Sequence, residues 1–271
     1  MSGDAAFVGS IPEHYDQGLG PILFANYAAE MARRAAACNP RRVLETASGT
    51  GIVTRKLRDA LPPGTQLTAT DLNAPMLDFA RAKFRDGEQV AFQPGDATAL
   101  PFADASFDVI VCQFGFMFFP DKDKSHREAY RLLTPGGRYL LSVWDSHRHN
   151  PYGRIAHETS AQFFPIDPPQ FYNVPFSCHQ IDPIKEGLGA AGFTDIEIAV
   201  VKREQAIPDA AQFARGIVYG NPLIDQIKAR GSATPEEVFD AVAQNLRREF
   251  GADPGRMPLQ AIFFSAKKPA G

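Results

Sequence analysis

Three carboxylates stand at the carboxyl ends of successive apolar runs: Glu45 in RRVLETA, Asp71 in QLTATD and Asp96 in VAFQPGD. Between the first two lies Ser48-Gly49-Thr50-Gly51, a turn of small residues that lets the backbone approach a ligand closely. Asp71 follows Gly51 by 20 positions, where a carboxylate can accept both hydroxyls of a ribose. One Asp in an exposed loop is usually a turn former. Three carboxylates at the ends where open α/β sheets bind their ligands point instead to a nucleotide-like cofactor. A dinucleotide fingerprint needs a third glycine, and Gly49-x-Gly51-x-x-Thr54 lacks it. Glu45 would also repel a pyrophosphate, whereas it suits a cofactor carrying positive charge.

The elements that hold these residues follow from periodicity. Between Arg42 and Trp144, short apolar runs alternate with helical stretches of about ten residues, the pattern of stacked βαβ units. After the glycine turn, Val53, Leu57, Ala60 and Leu61 share a helical face; Asn73, with Pro75 just inside, reads as the N-cap of the next helix. FDVIVCQF and RYLLSVW are the fourth and fifth strands, separated by a helix over Lys124 to Leu133. FGFMFF reads as a buried strand end and first helical turn. Residues 146–180 read as a long irregular insertion with a helix around Ile155 to Phe164. Helix Pro183 to Ala191 and strand FTDIEIAVVK resume the main fold, residues 208–250 form a helical insertion, and LQAIFFSAKK closes the sheet. The last inserted helix is marked by the capping box Thr234-Pro235-Glu236-Glu237 and ends before Gly251. Near the start, Pro21 to Ala37 reads as a further helix, with Phe24, Tyr27, Ala28 and Met31 at helical spacing. The expected class is α/β: a Rossmann-like, seven-stranded, mostly parallel sheet with helices on both faces and helical lid insertions.

Composition narrows the partners. A formal net charge of −3 in 271 residues gives no reason to expect nucleic acid. Cys38, Cys112 and Cys178 are far apart and lack histidine partners at metal-ligand spacing, so no metal site and a reducing cytoplasm are expected. The longest apolar stretch, Phe114 to Phe119, is far short of the roughly 20 residues of a membrane span.

The segment 42–145 resembles the class I S-adenosylmethionine (SAM) dependent methyltransferases, in particular the broad group that includes the ubiquinone/menaquinone-biosynthesis C-methyltransferases. VLETASGTGIVT is similar to the first motif of that family, TATDLNAPMLDFAR to the second, and GDATALPFADASFDVIVCQFGFMFF to the third and fourth. LLTPGGRYLLSVW resembles the approach to strand five, and HYDQGLGPILFANYA the N-terminal segment. The resemblance implies that Gly49 and Gly51 line the methionine part of SAM, with contacts from Ala47, Ser48 and Thr50. It implies that Asp71 holds the ribose hydroxyls, that Leu72 and Met76 flank the adenine, and that Asp96 meets the adenine amino group beside Ala97. Gln113 and Phe114 would sit near the methionine end, and Tyr15 joins the cofactor set. Two positions depart from the family: Glu45 stands where Asp is commoner, and Ala47 where the first glycine usually stands, a substitution expected to be mild because alanine tolerates most turn conformations.

The implied layout is an N-terminal helical cap over 1–40, a SAM-binding core over 41–145, and the rest of the sheet over 146–271 with lids at 146–180 and 208–250. The expected reaction is methyl transfer to a small, largely apolar acceptor. An NAD(P)-dependent oxidoreductase and a non-catalytic SAM-binding protein are the alternatives. No residue is singled out as catalytic; Tyr15, His14, Asp145 and His147 are candidates by location alone.

Overall fold

In the computed structural model, residues 3–270 are described; Met1, Ser2 and Gly271, which belong to the expected cap and sheet remainder, lie outside them. Seven strands form one sheet in the order β3-β2-β1-β4-β5-β7-β6. They are β1 (Arg42–Thr46), β2 (Gln66–Asp71), β3 (Val90–Pro94), β4 (Phe107–Gln113), β5 (Leu133–Trp144), β6 (Thr194–Ile207) and β7 (Gly255–Lys267). β1 pairs in parallel with β2 and β4, while β7 is antiparallel to both β5 and β6. The order reverses between β1 and β4, and in open α/β sheets the ligand crevice opens at such a switch point. Val43, Leu44, Ile110, Val111, Leu141 and Val143 are fully buried, as strands covered on both faces must be.

Helices α3 (Ile52–Ala60), α4 (Ala74–Arg81) and α5 (Lys122–Leu132) are the crossovers expected from the sequence. Asp121 caps α5 by accepting from the Lys124 amide. Asn73 precedes α4 but does not cap it with its side chain. Its amide instead donates to the Ala5 carbonyl and its Oδ1 accepts from the Phe7 amide, tying the chain start to the end of β2.

The cap departs from expectation. Helix begins at Ile11, ten residues before Pro21, as the short α1 (Ile11–His14), continues as a π-helix over Tyr15–Phe24, and then becomes α2 (Ala25–Ala37). Proline has no amide to give to an α-helical ladder, and a π-helical turn accommodates Pro21 in the middle of the run. The 146–180 segment is more regular than it reads: α6 (Pro151–Phe163) occupies much of it. Helix α7 (Ile181–Ala190) leads into β6. The 208–250 insertion holds α8 (Ala210–Tyr219), α9 (Leu223–Arg230) and α10 (Pro235–Phe250), the last with the expected capping box formed in both directions. Among the described residues no helix is long and apolar enough to cross a membrane.

Candidate functional site

The loop after β1 is built on left-handed backbone. Ala47 has φ +52°, Gly49 +55° and Gly51 +79°. Contrary to the expectation that alanine is at ease here, a side chain in this region costs about 1–2 kcal/mol. Gly115 makes room for the Ala47 methyl, since a Cβ on Gly115 would lie only 2.4 Å from Ala47 Cβ. Gly49 faces open space, whereas a Cβ on Gly51 would meet Ala80 Cβ of α4 at 2.8 Å. Gly51 thus packs the start of α3 against α4 rather than lining a cavity.

A cavity of about 330 Å³ opens at the switch point, lined by Tyr15, Ala47, Gly49, Asp71, Leu72, Met76, Asp96, Ala97 and Phe114. A smaller one of about 30 Å³ continues beside it, lined by Glu45, Ser48, Thr50 and Gln113. Every residue of the cofactor set except Gly51 therefore borders one of these two spaces. Sequence reading missed Asn73, Gly95, Gly115, Phe118, Phe119 and Pro120, which also line the larger cavity. The FGFMFF run divides accordingly: Phe116 is core, Phe118 and Phe119 line the larger cavity, and Met117, though buried, borders a third space.

Electrostatics and exposure test whether a cationic, nucleoside-bearing group fits. Burial lifts the Glu45 carboxyl to about 8; the Thr54 hydroxyl opposes the lift and the Asp71 charge adds to it. Its Oε2 has no hydrogen-bond partner, so a buried acceptor beside the smaller cavity awaits a cation or donor. Leu72 is 43% exposed, an apolar surface beside Met76 suited to cover a flat base. Asp71 Oδ2 accepts from the Gly49 amide at 2.8 Å and Oδ1 from the Asn73 amide at 2.8 Å. Burial raises its pKa, while these backbone bonds hold it down. The residues present fit SAM.

Tyr15 borders both cavities and also a third, of about 60 Å³, lined by Leu19, Leu23, Phe24, Met117, Trp144, Tyr152, Phe171, Tyr172 and Asn221. Burial, with the Asp71 and Asp16 charges, keeps the Tyr15 hydroxyl protonated far above neutrality. The other three location candidates stand away from these spaces. His14 lies against Tyr219, Asp145 binds Gln260, and His147 packs on Phe176 with Nε2 at 3.1 Å from the Tyr172 carbonyl. A wider groove of about 1300 Å³, lined by Arg33, Arg41, Arg42 and Arg138, sits at the opposite ends of the strands and is remote from the three strand-end carboxylates.

Residues 44–141 match the methyltransferase domain family. The chain is 42% identical over 111 residues to the demethylmenaquinone methyltransferase of Deinococcus radiodurans, covering 41% of this chain and 46% of that protein. Against a ubiquinone/menaquinone biosynthesis C-methyltransferase of Serratia proteamaculans it is 32% identical over 169 residues, 58% of this chain and 67% of the relative. The chain spans less than half the length of the first curated relatives it matches. Among solved structures, Haemonchus contortus phosphoethanolamine N-methyltransferase 2 in complex with S-adenosyl-L-methionine superposes with a TM-score of 0.59 at 20% identity, over 95% of this chain and 56% of that one. The YcgJ protein of Bacillus subtilis gives 0.59 at 21% identity, over 91% and 100%. The chain belongs to the class I SAM-dependent methyltransferases.

Proposed function

We propose that the protein transfers a methyl group from SAM to a small, largely apolar acceptor. The observation that carries this reading is that the 330 Å³ cavity and the aromatic chamber share the walls Phe7, Tyr15, Phe114 and Phe118, so a cofactor space abuts an acceptor space. Asp71 would hold the ribose hydroxyls, Leu72 and Met76 the adenine, Asp96 its amino group, and Glu45 with the Ser48–Thr50 backbone the charged amino-acid end. SAM, when bound, supplies an electrophilic methyl on a sulfonium.

The chain's own contribution is alignment and exclusion of water. Phe114 and Trp144 stack at 3.9 Å with planes 3° apart and form one rigid wall of the chamber. Its polar groups are Asn221 and the hydroxyls of Tyr15, Tyr152 and Tyr172, with the pKa of all three tyrosines pushed up by burial. Tyr172 already donates to the Ile217 carbonyl and Asn221 to Tyr172 and the same carbonyl, so the hydroxyls of Tyr15 and Tyr152 are the donors left to an acceptor, and none of these groups is a base active near neutrality. Such a site suits an acceptor already nucleophilic, because a general base is needed only where a proton must leave.

Of the phenylalanines in the cap and lid segments, Phe7, Phe24 and Phe171 border this chamber, whereas Phe164, Phe176 and Phe213 are buried packing. Three free cysteines fit a reducing cytoplasm. The division into cap, core and lids is the reading we favour. Phenols, quinols, amines, fatty acids and transfer RNA assayed with labelled SAM test the acceptor class. Methylation of apolar aromatic compounds is expected, and methylation of the nucleic acid alone would contradict it.

A further inference from the structure

Asp16 lies where the cap meets two parts of the core. Its Oδ1 accepts from Thr50 Oγ1 at 2.7 Å and from Lys83 Nζ. Thr50 is buried in the loop after β1, and Lys83 follows the last turn of α4. Among the described residues, no other side-chain hydrogen bond joins the Tyr15–Phe24 stretch to that loop. On its other side the stretch is pressed against α8 without slack. A Cβ on Gly18 would lie 2.6 Å from Gly216 Cα, and one on Gly220 would lie 2.8 Å from the Tyr15 amide nitrogen. Tyr15 is thus clamped between α8 and the residue beside it, and its ring is the one wall common to the cofactor cavity, its small extension and the acceptor chamber. A π-helical run is a rare, intrinsically weak conformation, and ten residues of it need outside anchors.

We propose that Asp16 is a positioning residue that fastens the cap to the cofactor loop and so holds Tyr15 as the partition between the cofactor and acceptor spaces. A hydrogen bond to a carboxylate is roughly twice as strong as a neutral one. Buried Thr50 has no solvent to turn to when that acceptor is lost. Without the anchor, the π-helical stretch keeps its glycine contacts with α8 but parts from the loop, and the acceptor chamber opens beside Tyr15. The cap then registers the state of the loop through one side chain, which rests on the methyltransferase reading only for what occupies the loop.

Trp144, the single tryptophan of the chain, provides the test, because it is buried and lines the acceptor chamber. Acrylamide quenching of its fluorescence is measured without any cofactor for the parent, Asp16→Ala, Asp16→Asn and Lys83→Met. S-adenosylhomocysteine affinity is then measured by calorimetry. Asp16→Ala is expected to raise the quenching constant severalfold and to weaken S-adenosylhomocysteine binding about tenfold, with helix content unchanged. Asp16→Asn keeps an oxygen for Thr50 but not the charge for Lys83, so it should match Lys83→Met at a quenching constant clearly above the parent's and below that of Asp16→Ala. Parent-like quenching in Asp16→Ala overturns the proposal. If that variant does not fold, parent-like quenching in both Asp16→Asn and Lys83→Met does the same. A parent that binds no S-adenosylhomocysteine counts against the methyltransferase reading and leaves the quenching result to judge the anchor.

Discussion

The Gly49 amide donates to Asp71 Oδ2 at 2.8 Å, joining the loop after β1 to the end of β2. One carboxylate therefore shapes the glycine turn while facing the cavity that the turn borders. Its second oxygen is engaged by the Asn73 amide. Oδ1 also accepts from the Asn73 side-chain amide at 3.3 Å, so one of about four acceptor sites stays open for a ribose hydroxyl, and the second hydroxyl takes the place of that Asn73 bond.

Asp71→Ala is expected to weaken SAM binding by roughly 1.5–3 kcal/mol, the range for hydrogen bonds to a charged acceptor. It should also lower Tm slightly, because two backbone amides lose their acceptor. Calorimetric titration and thermal melts on the same samples check both. Binding equal to the parent's would remove Asp71 from the ribose role.

Glu45 predicts a pH dependence of definite sign. Its carboxyl holds a proton up to about 8 when folded, against an ordinary value of 4.5. The folded state then binds more protons than the unfolded one between these values, so stability from this group is complete below about 4.5 and is lost as pH rises through about 8. A cationic ligand favours the ionised form, so SAM affinity should climb over the same window, with proton release on binding. Glu45→Gln is expected to flatten both trends, stabilising the free protein at pH 8 by on the order of a few kcal/mol while weakening SAM binding. Melts at pH 6 and 8.5, with and without SAM, decide it; unchanged slopes in the variant would refute the assignment.

Ala47 occupies left-handed backbone that glycine adopts at no steric cost. Relief of that strain exceeds the entropy glycine adds to the unfolded chain, so Ala47→Gly is expected to raise Tm by about 2 °C. A lower Tm would show that the methyl's contact with Gly115 outweighs the strain.

The core was legible in the sequence because its strands and crossover helices carry their own periodicity, and the strand-end carboxylates Glu45, Asp71 and Asp96 fall at fixed offsets from it. The capping box at Thr234 was equally local. What remained hidden depends on tertiary contact. Helix through Pro21 needs π-helical bonding, Asn73 turns from capping to bind the chain start, and Ala47 shows its strain only when φ is known. Phe118 and Phe119 could not be told from Phe116 by type, since only the turn after β4 decides which ring faces the cavity. The Asp16 bond to Thr50 spans 34 positions and leaves no pattern in the chain.

The central claim, that the three strand-end carboxylates serve SAM and not a dinucleotide, is tested most directly by calorimetric titration of the purified protein with SAM, S-adenosylhomocysteine and NADH. Micromolar binding of both sulfur ligands, with a matching rise in Tm by mass action and no response to NADH, is the predicted result. Tight binding of NADH with no heat from either sulfur ligand would contradict it.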